Sequence, residues 1–348
     1  MPSSLLTTTR SITRRRLLQA AIVGVAGTTV LLLAFMVSDG LASLGLPGGG
    51  LAAYLVLVGR ALGAITGLEL FSFRFVWYSL ATGALIGIVG PVVGIFIVHR
   101  EMALIGETLA HTAFAGVAGG LLIGSATGWS APLLASALVA AVIGALAVEW
   151  LAEHAAAYGD VPIAIMLTGS FALGTIIISW GGGFSGLNIE AFLFGNISFV
   201  PVDGAWLMVV VSAVVLAAVG SRYKQLLYVT FDEQAARVAR LNVSGYNRLL
   251  IVLTAMVVVG SMQVLGVILV AAMLVVPTAA ASQVATSFRE AMALAVLVGE
   301  TSVISGLLIG YAYGIPAGGT IVLIAIAWYV LAVVLADHEI SLSARSAS

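Results

Sequence analysis

The chain has 348 residues, of which 61% are hydrophobic and 8% charged, with a mean hydropathy of +1.17 and a formal net charge of −1. Soluble domains carry about 25% charged residues, so this composition excludes a soluble globular protein, and near-neutrality gives nucleic acid nothing to hold. The absence of cysteine excludes disulfides, thiolate zinc sites and cysteine nucleophiles.

Apolar runs long enough to cross about 30 Å of hydrocarbon recur along the whole length. They are apolar on every face, whereas barrel strands alternate in polarity. The expected fold is therefore all-α, a polytopic transmembrane helical bundle. The first span is predicted at 17–37. Thr13-Arg14-Arg15-Arg16 before it resembles a twin-arginine export signal, but the uncharged run that follows is long enough to span. The basic cluster then reads as a cytoplasmic anchor of a retained helix. A Gly/Pro-rich stretch covers 38–50. The segment 51–68 is apolar but broken by Arg60, and reads either as a re-entrant or interfacial helix or as a further span.

Further spans are predicted at 75–98, 101–124, 131–150, 162–180 and 203–219. Between the last two, 181–196 is too glycine-rich to read as a span. The longest hydrophilic stretch, 221–248, carries Arg222, Lys224, Arg237, Arg240 and Arg248, which predicts a cytoplasmic location. Six crossings from a cytoplasmic N-terminus end on that same side. Within it, Phe231 to Val243 reads as a short amphipathic helix, with Asp232 and Glu233 at the end where a helix dipole favours acids. Four more spans, 249–263, 265–284, 289–311 and 317–335, bring the count to about ten and leave a polar tail on the cytoplasmic side. No soluble domain fits this map. The sole lysine, Lys224, does not follow a phosphate-loop pattern, so any ATP-driven work belongs to another chain and this one is not expected to be an enzyme.

Glu107 and His111 stand in the otherwise uncharged 101–124 run. Spacing of i, i+4 puts them on one helix face, one turn apart. Leaving an acid unpartnered in hydrocarbon costs roughly 2.5–3.5 kcal/mol on insertion scales, so a chain that keeps both groups is expected to use them. Carboxylate with neutral imidazole suits Zn²⁺, Mn²⁺ or Fe²⁺. Two ligands per chain are too few for a closed structural zinc site, which suits an ion that must bind and leave. The competing reading is an ion-paired structural pair.

Glu300, in the middle of 289–311, is a third candidate, read either as a pathway carboxyl or as a neutral carboxyl bonded to a neighbouring helix. Glu149, Glu153 and His154 fall at a helix end, where solvation is the default reading. His99 and Arg100 are expected to be interfacial, and Glu190 and His338 solvated. Gly83, Gly87, Gly90, Gly94, Gly116, Gly120 and Gly124 recur at three- and four-residue spacing, which predicts close helix packing. Pro91 and Pro277 are expected to kink their spans.

Several segments together resemble the permease subunits of zinc/manganese-type ABC importers. G-P-V-V-G-I-F-I-V-H-R-E-M-A-L-I-G-E-T-L-A-H-T-A-F-A-G-V-A is similar to their helix ending at a basic residue followed by an acid-x-x-x-His pair. F-L-F-G-N-I, A-A-M-L-V-V-P-T-A-A-A and G-I-P-A-G-G-T-I-V-L resemble three further landmarks in order, and F-D-E-Q-A-A-R-V-A-R-L-N-V resembles the loop that docks on the ATPase.

The resemblance implies residues 71–340 as the permease domain, with a coupling loop at 221–248, and residues 1–70 as an N-terminal extension with one added helix. It implies a homodimeric pore in the cell membrane, cytoplasmic ATPase subunits and an extracytoplasmic metal-binding protein. It also implies a transported divalent metal with no resident cofactor. Glu107 and His111 then carry the metal. Asp232, Glu233, Ala236, Ala239 and Leu241 carry the ATPase contact, with Ala235 completing an apolar strip and Val238 and Leu241 as its anchors. The family usually has Asp at the position of Glu107; Glu reaches one methylene further, which leaves ion preference open. Two other functions remain open: a proton-coupled secondary carrier using Glu107, His111 and Glu300, and a permease for a metal chelate such as a siderophore. The loop 229–243 argues against the first, since a self-sufficient carrier needs no docking helix, and the acid/His pair argues against the second.

Overall fold

The computed structural model describes residues 3–66, 69–128, 133–154, 161–181, 200 and 202–347. In chain order the helices are α1 (Ser3–Ser43), α2 (Gly50–Thr66), α3 (Arg74–His99), α4 (Ile105–Thr127), α5 (Leu133–His154) and α6 (Val161–Trp180). They continue as α7 (Val202–Phe231), α8 (Glu233–Val238), α9 (Val243–Leu265), α10 (Val267–Val284), α11 (Phe288–Tyr313) and α12 (Ala317–Ala347). Among the described residues nine helices are long and apolar enough to cross a bilayer, and Gly50–Ile65 and Leu269–Val284 are shorter apolar helices. The predicted spans match these nine together with the helix containing Leu269–Val284. The segment 181–196, apart from Gly181, and Glu190 within it lie outside the described residues.

Several predicted boundaries move. The predicted span 101–124 begins at Ile105, because residues 100–104 form a turn. The 203–219 span continues as helix to Phe231, and the 249–263 span begins at Val243. The hydrophilic stretch 221–248 is therefore mostly helix. Hydropathy reports where a chain leaves lipid; it does not report where a helix ends, and Arg, Lys, Gln and Leu at 222–227 are all good helix formers. Likewise α1 extends beyond 17–37 at both ends.

Helix α3 is the most deeply buried of the candidate spans, and its glycines explain how. A side chain at Gly83 would strike Val303 and Leu307 of α11, and one at Gly87 would strike the backbone of Glu300. At Gly90 and Gly94 it would meet the carbonyls of Met273 and Leu274 on α10. The stripe lets two helices approach to backbone contact, as the spacing predicts. Gly116 and Gly120 do the same for α4 against Ser136 and Ala140 of α5. Pro91 and Pro277 lie inside α3 and α10.

Helix α1 seats on α3 and α11 by side chains of both kinds. Phe35 stacks on Trp77 at 5.4 Å between ring centroids and meets Tyr78 edge-on at 5.8 Å. Tyr78 donates to Asp39 Oδ2 at 3.0 Å, and Arg74 pairs with Asp39 Oδ1 at 3.0 Å.

Two turns share one geometry. At the end of α3, Met102 N–H bonds to Ile97 O at 3.1 Å and Glu101 N–H to Val98 O at 3.1 Å, with Glu101 at φ 60°. At the end of α8, Leu241 N–H bonds to Ala236 O and Arg240 N–H to Arg237 O, both at 3.0 Å, with Arg240 at φ 57°. Both are Schellman closures with a left-handed residue that is usually glycine. Each reverses the chain within a few residues and fixes the angle of the next element.

Candidate functional site

Two of the places where polar side chains collect concern the predicted site residues, one inside α4 and one around α8. Glu107 lies in the first turn of α4 and His111 one turn later. Their side chains are 43% and 13% exposed, and His111 Nε2 stands 3.8 Å from Glu107 Oε1. That separation is too long for a hydrogen bond but short enough for an ion pair when His111 is protonated. His111 Nδ1 is buried without a partner, and the ring meets Phe171 of α6 edge-on at 4.9 Å. The adjoining face of α4 is also pinned to α6 by polar bonds. Thr108 Oγ1 donates to Ile163 O at 3.2 Å. Thr112 Oγ1 donates to Thr108 O at 2.7 Å and meets Ser170 Oγ at 3.0 Å, so Ser170 supplies that proton.

The partly exposed line of α4 continues from Glu107 and His111 through Ala115 and Gly119, at steps of four residues. A side chain added at Gly119 would meet nothing within 4 Å. Glu107 and His111 thus head a smooth, small-residue stripe.

Glu300 is placed elsewhere. It is fully buried where α11 crosses Gly87 of α3, and Thr29 of α1 donates to its Oε1 at 2.7 Å. Its Oε2 is buried without a partner. Among the described residues no cluster of three or more His, Cys, Asp or Glu forms, so Glu300 does not join Glu107 and His111. Glu149 pairs with Arg248 at 3.1 Å, and the ring of His154 stacks on Trp150. The side chains of Glu153 and His338 lie outside the described residues.

Around α8, Asp232 caps the helix by accepting from Ala235 N–H at 2.8 Å, and Glu233 pairs with Arg237 at 2.6 Å. The predicted apolar strip is divided between two faces. Ala236 is 0% exposed and packs inward with Val229 and Val243, with Leu241 and Tyr246 against them. Ala236 therefore anchors α8 to α7 and α9, a correction to its expected outward role, while Leu241 is half-buried beside it and still reaches the surface. A helix of six residues has too little period to reveal its inner face. The outward residues are Asp232, Glu233, Ala239 and above all Val238, which is 85% exposed. An open groove beside them is lined by Arg222, Arg240, Leu241, Asn242, Tyr246 and Leu249.

Arg100 was expected to be a plain interfacial cation. Instead its Nε donates to Thr230 Oγ1 at 3.1 Å and its Nη1 to Asn247 Oδ1 at 2.7 Å. Burial pushes its guanidinium below the ordinary arginine value, and the nearby Glu233 carboxylate pulls it back up. Those partners lie 130 and 147 residues away in sequence, beyond any local pattern.

Residues 72–336 match the ABC 3 transport family. The chain is 31% identical over 264 residues to the manganese transport system membrane protein MntC of Halalkalibacterium halodurans, covering 76% of this chain and 88% of that one. It is 32% identical over 275 residues to the manganese import system permease protein ScaB of Streptococcus parasanguinis, covering 79% and 95%. Among solved structures, PsaBC from Streptococcus pneumoniae in complex with Fab superposes with a TM-score of 0.68 at 33% identity, covering 77% of this chain and 93% of that one. An inward-facing putative metal-chelate type ABC transporter shares the fold with a TM-score of 0.56 at 14% identity, covering 80% and 95%.

Proposed function

The chain belongs to the ABC 3 transport family, and from that premise we propose that it is the membrane-spanning subunit of an ATP-driven importer of a divalent transition metal. The observation that carries this reading is the Glu107–His111 pair. A partly exposed carboxylate and an imidazole stand one turn apart on an otherwise uncharged membrane helix, 3.8 Å from each other and beyond hydrogen-bond length. Manganese is the first cargo to test, because relatives at 31–32% identity are named for manganese transport. Carboxylate and imidazole also accept zinc and ferrous iron.

Two copies meeting along the α4 stripe would bring two carboxylates and two imidazoles to one axis. Ala115 and Gly119 would let the backbones approach closely. Four borderline-hard ligands hold a passing ion, and nothing in the set forms a closed thiolate cage. ATP hydrolysis falls to separate subunits on the cytoplasmic side. They would meet α8 through Val238, Glu233 and the groove beside it. A metal-binding protein would deliver the ion from outside. Residues 1–70 add a helix beside the permease domain, and both termini lie in the cytoplasm.

The test is reconstitution of the chain in proteoliposomes with and without its cognate ATPase subunit, reading radiolabelled Mn²⁺ uptake and ATP hydrolysis. Uptake that needs both ATP and the second subunit supports the importer. Uptake by this chain alone, driven by a proton gradient, replaces it with a secondary carrier.

A further inference from the structure

Resting on the reading just given, we propose that Arg100 is the positioning residue that couples the ATPase-docking helix to the metal-bearing helix. Its guanidinium joins three elements at one point. Nε holds Thr230, the penultimate residue of α7, and Nη1 holds Asn247 in the second turn of α9. These two residues flank α8 in the chain on either side. Glu233, the first residue of α8, acts electrostatically on the same guanidinium. Arg100 itself caps α3 and opens the turn that leads to Ile105, and Glu107 follows within the first turn of α4.

The parts on either side of this junction are stiff. The α3–α4 turn is closed by the Met102 to Ile97 bond, and Ile105 N–H bonds to Met102 O at 3.1 Å. Helix α8 is closed by the matching turn at Arg240 and sealed underneath by buried Ala236. A displacement of α8 by a partner therefore has little slack to absorb it before it reaches Arg100. The neighbouring rings add contact without direction: His99 meets Phe231 at 5.7 Å and Phe288 at 5.3 Å. The guanidinium links both flanks of α8 by directed hydrogen bonds. Its planar fork reaches two acceptors at once, which a lysine ammonium on a flexible stem does not reproduce. Its remaining nitrogen, Nη2, is buried without a partner. A residue present only for stability would be expected to use that donor.

The experiment compares the wild type with Arg100→Met and Arg100→Lys, each purified with its cognate ATPase subunit. Hydrogen exchange is read with and without the ATPase, Mn²⁺ binding by calorimetry, and Mn²⁺-stimulated ATP hydrolysis in proteoliposomes. In the wild type the ATPase should protect 232–241 and also change exchange across 100–107. In Arg100→Met the first change should persist and the second vanish. Mn²⁺ affinity should stay within about twofold while stimulation of hydrolysis falls at least tenfold, and Arg100→Lys should recover part of it. Protection at 232–241 without a wild-type change at 100–107 overturns this proposal alone. So does Arg100→Met that keeps full stimulation, or one that loses the ATPase altogether. No protection at either segment in the wild type overturns the importer reading and this one with it.

Discussion

A carboxylate and an imidazole one turn apart in a membrane helix either satisfy each other or wait for something else. At 3.8 Å Glu107 and His111 are beyond hydrogen-bond length yet within ion-pair reach, and the proposed role as metal ligands is the second case. Glu107→Gln and His111→Gln should each abolish metal uptake while expression and detergent-solubilised assembly stay normal, because each keeps a polar side chain of similar length in place. Uptake near wild type in both would end the assignment. Glu107→Asp should keep partial uptake with a changed order of Mn²⁺, Zn²⁺ and Fe²⁺ in competition assays, since charge remains and reach shortens. Glu300 makes the opposite case, a buried carboxyl engaged by its own protein. Thr29→Val leaves both of its oxygens without a partner and should cost about 1–3 kcal/mol, read as a lower thermal midpoint in detergent. Glu300→Gln should cost less, because the amide oxygen still accepts from Thr29. A larger loss for Gln than for Thr29→Val would mean that charge matters there and the hydrogen bond does not.

Among the elements, α8 and α3 separate what the sequence discloses from what it conceals. The glycine stripe on α3 was legible, since a three- and four-residue repeat of the smallest residue has one common purpose in lipid. A Cβ at Gly94 would overlap the backbone carbonyl of Leu274, which has no rotamer to escape into. Gly94→Ala should therefore fail to accumulate in the membrane, whereas Gly119→Ala, which meets open space, should accumulate normally. The inner face of α8 was not legible, and the consequence is practical. Ala236→Glu would place a charge in a sealed apolar contact and disturb the loop itself. Val238→Asp changes only an outward side chain. It should reduce co-purification of the ATPase at least tenfold while Mn²⁺ binding to the permease persists. Equal recovery of the ATPase with this variant would move the docking site elsewhere. Arg100 escaped the sequence for a further reason: an arginine at a helix end looks interfacial until its distant acceptors are known.

At the scale of the whole molecule, the matched region 72–336 accounts for α3 to α12, while α1 and α2 stand outside it. The fold class and most spans were read correctly because hydrocarbon imposes length and apolarity on every crossing helix. For the proposed pairing with a second copy, the small-residue stripe below His111 is the candidate face. Gly119→Leu should leave a folded monomer by thermal unfolding yet shift the protein from dimer to monomer in native mass spectrometry. A dimer unaffected by that change would put the two-fold axis on another face.

Thr29 and Glu300 are 271 residues apart in the chain but share a bond. Synthesis runs from the N-terminus, so α1 is already in the bilayer when α11 leaves the ribosome. Inserting a segment with an acid at its centre is costly on its own. Here the hydroxyl that meets the acid is laid down first, and the last helices assemble against a prepared partner. If α1 stays in the bilayer, it would act early in the life of the polypeptide, as a guide for a late and difficult insertion; Thr29→Val should then lower the yield of inserted α11 in a glycosylation-mapping assay, and an unchanged yield would refute this.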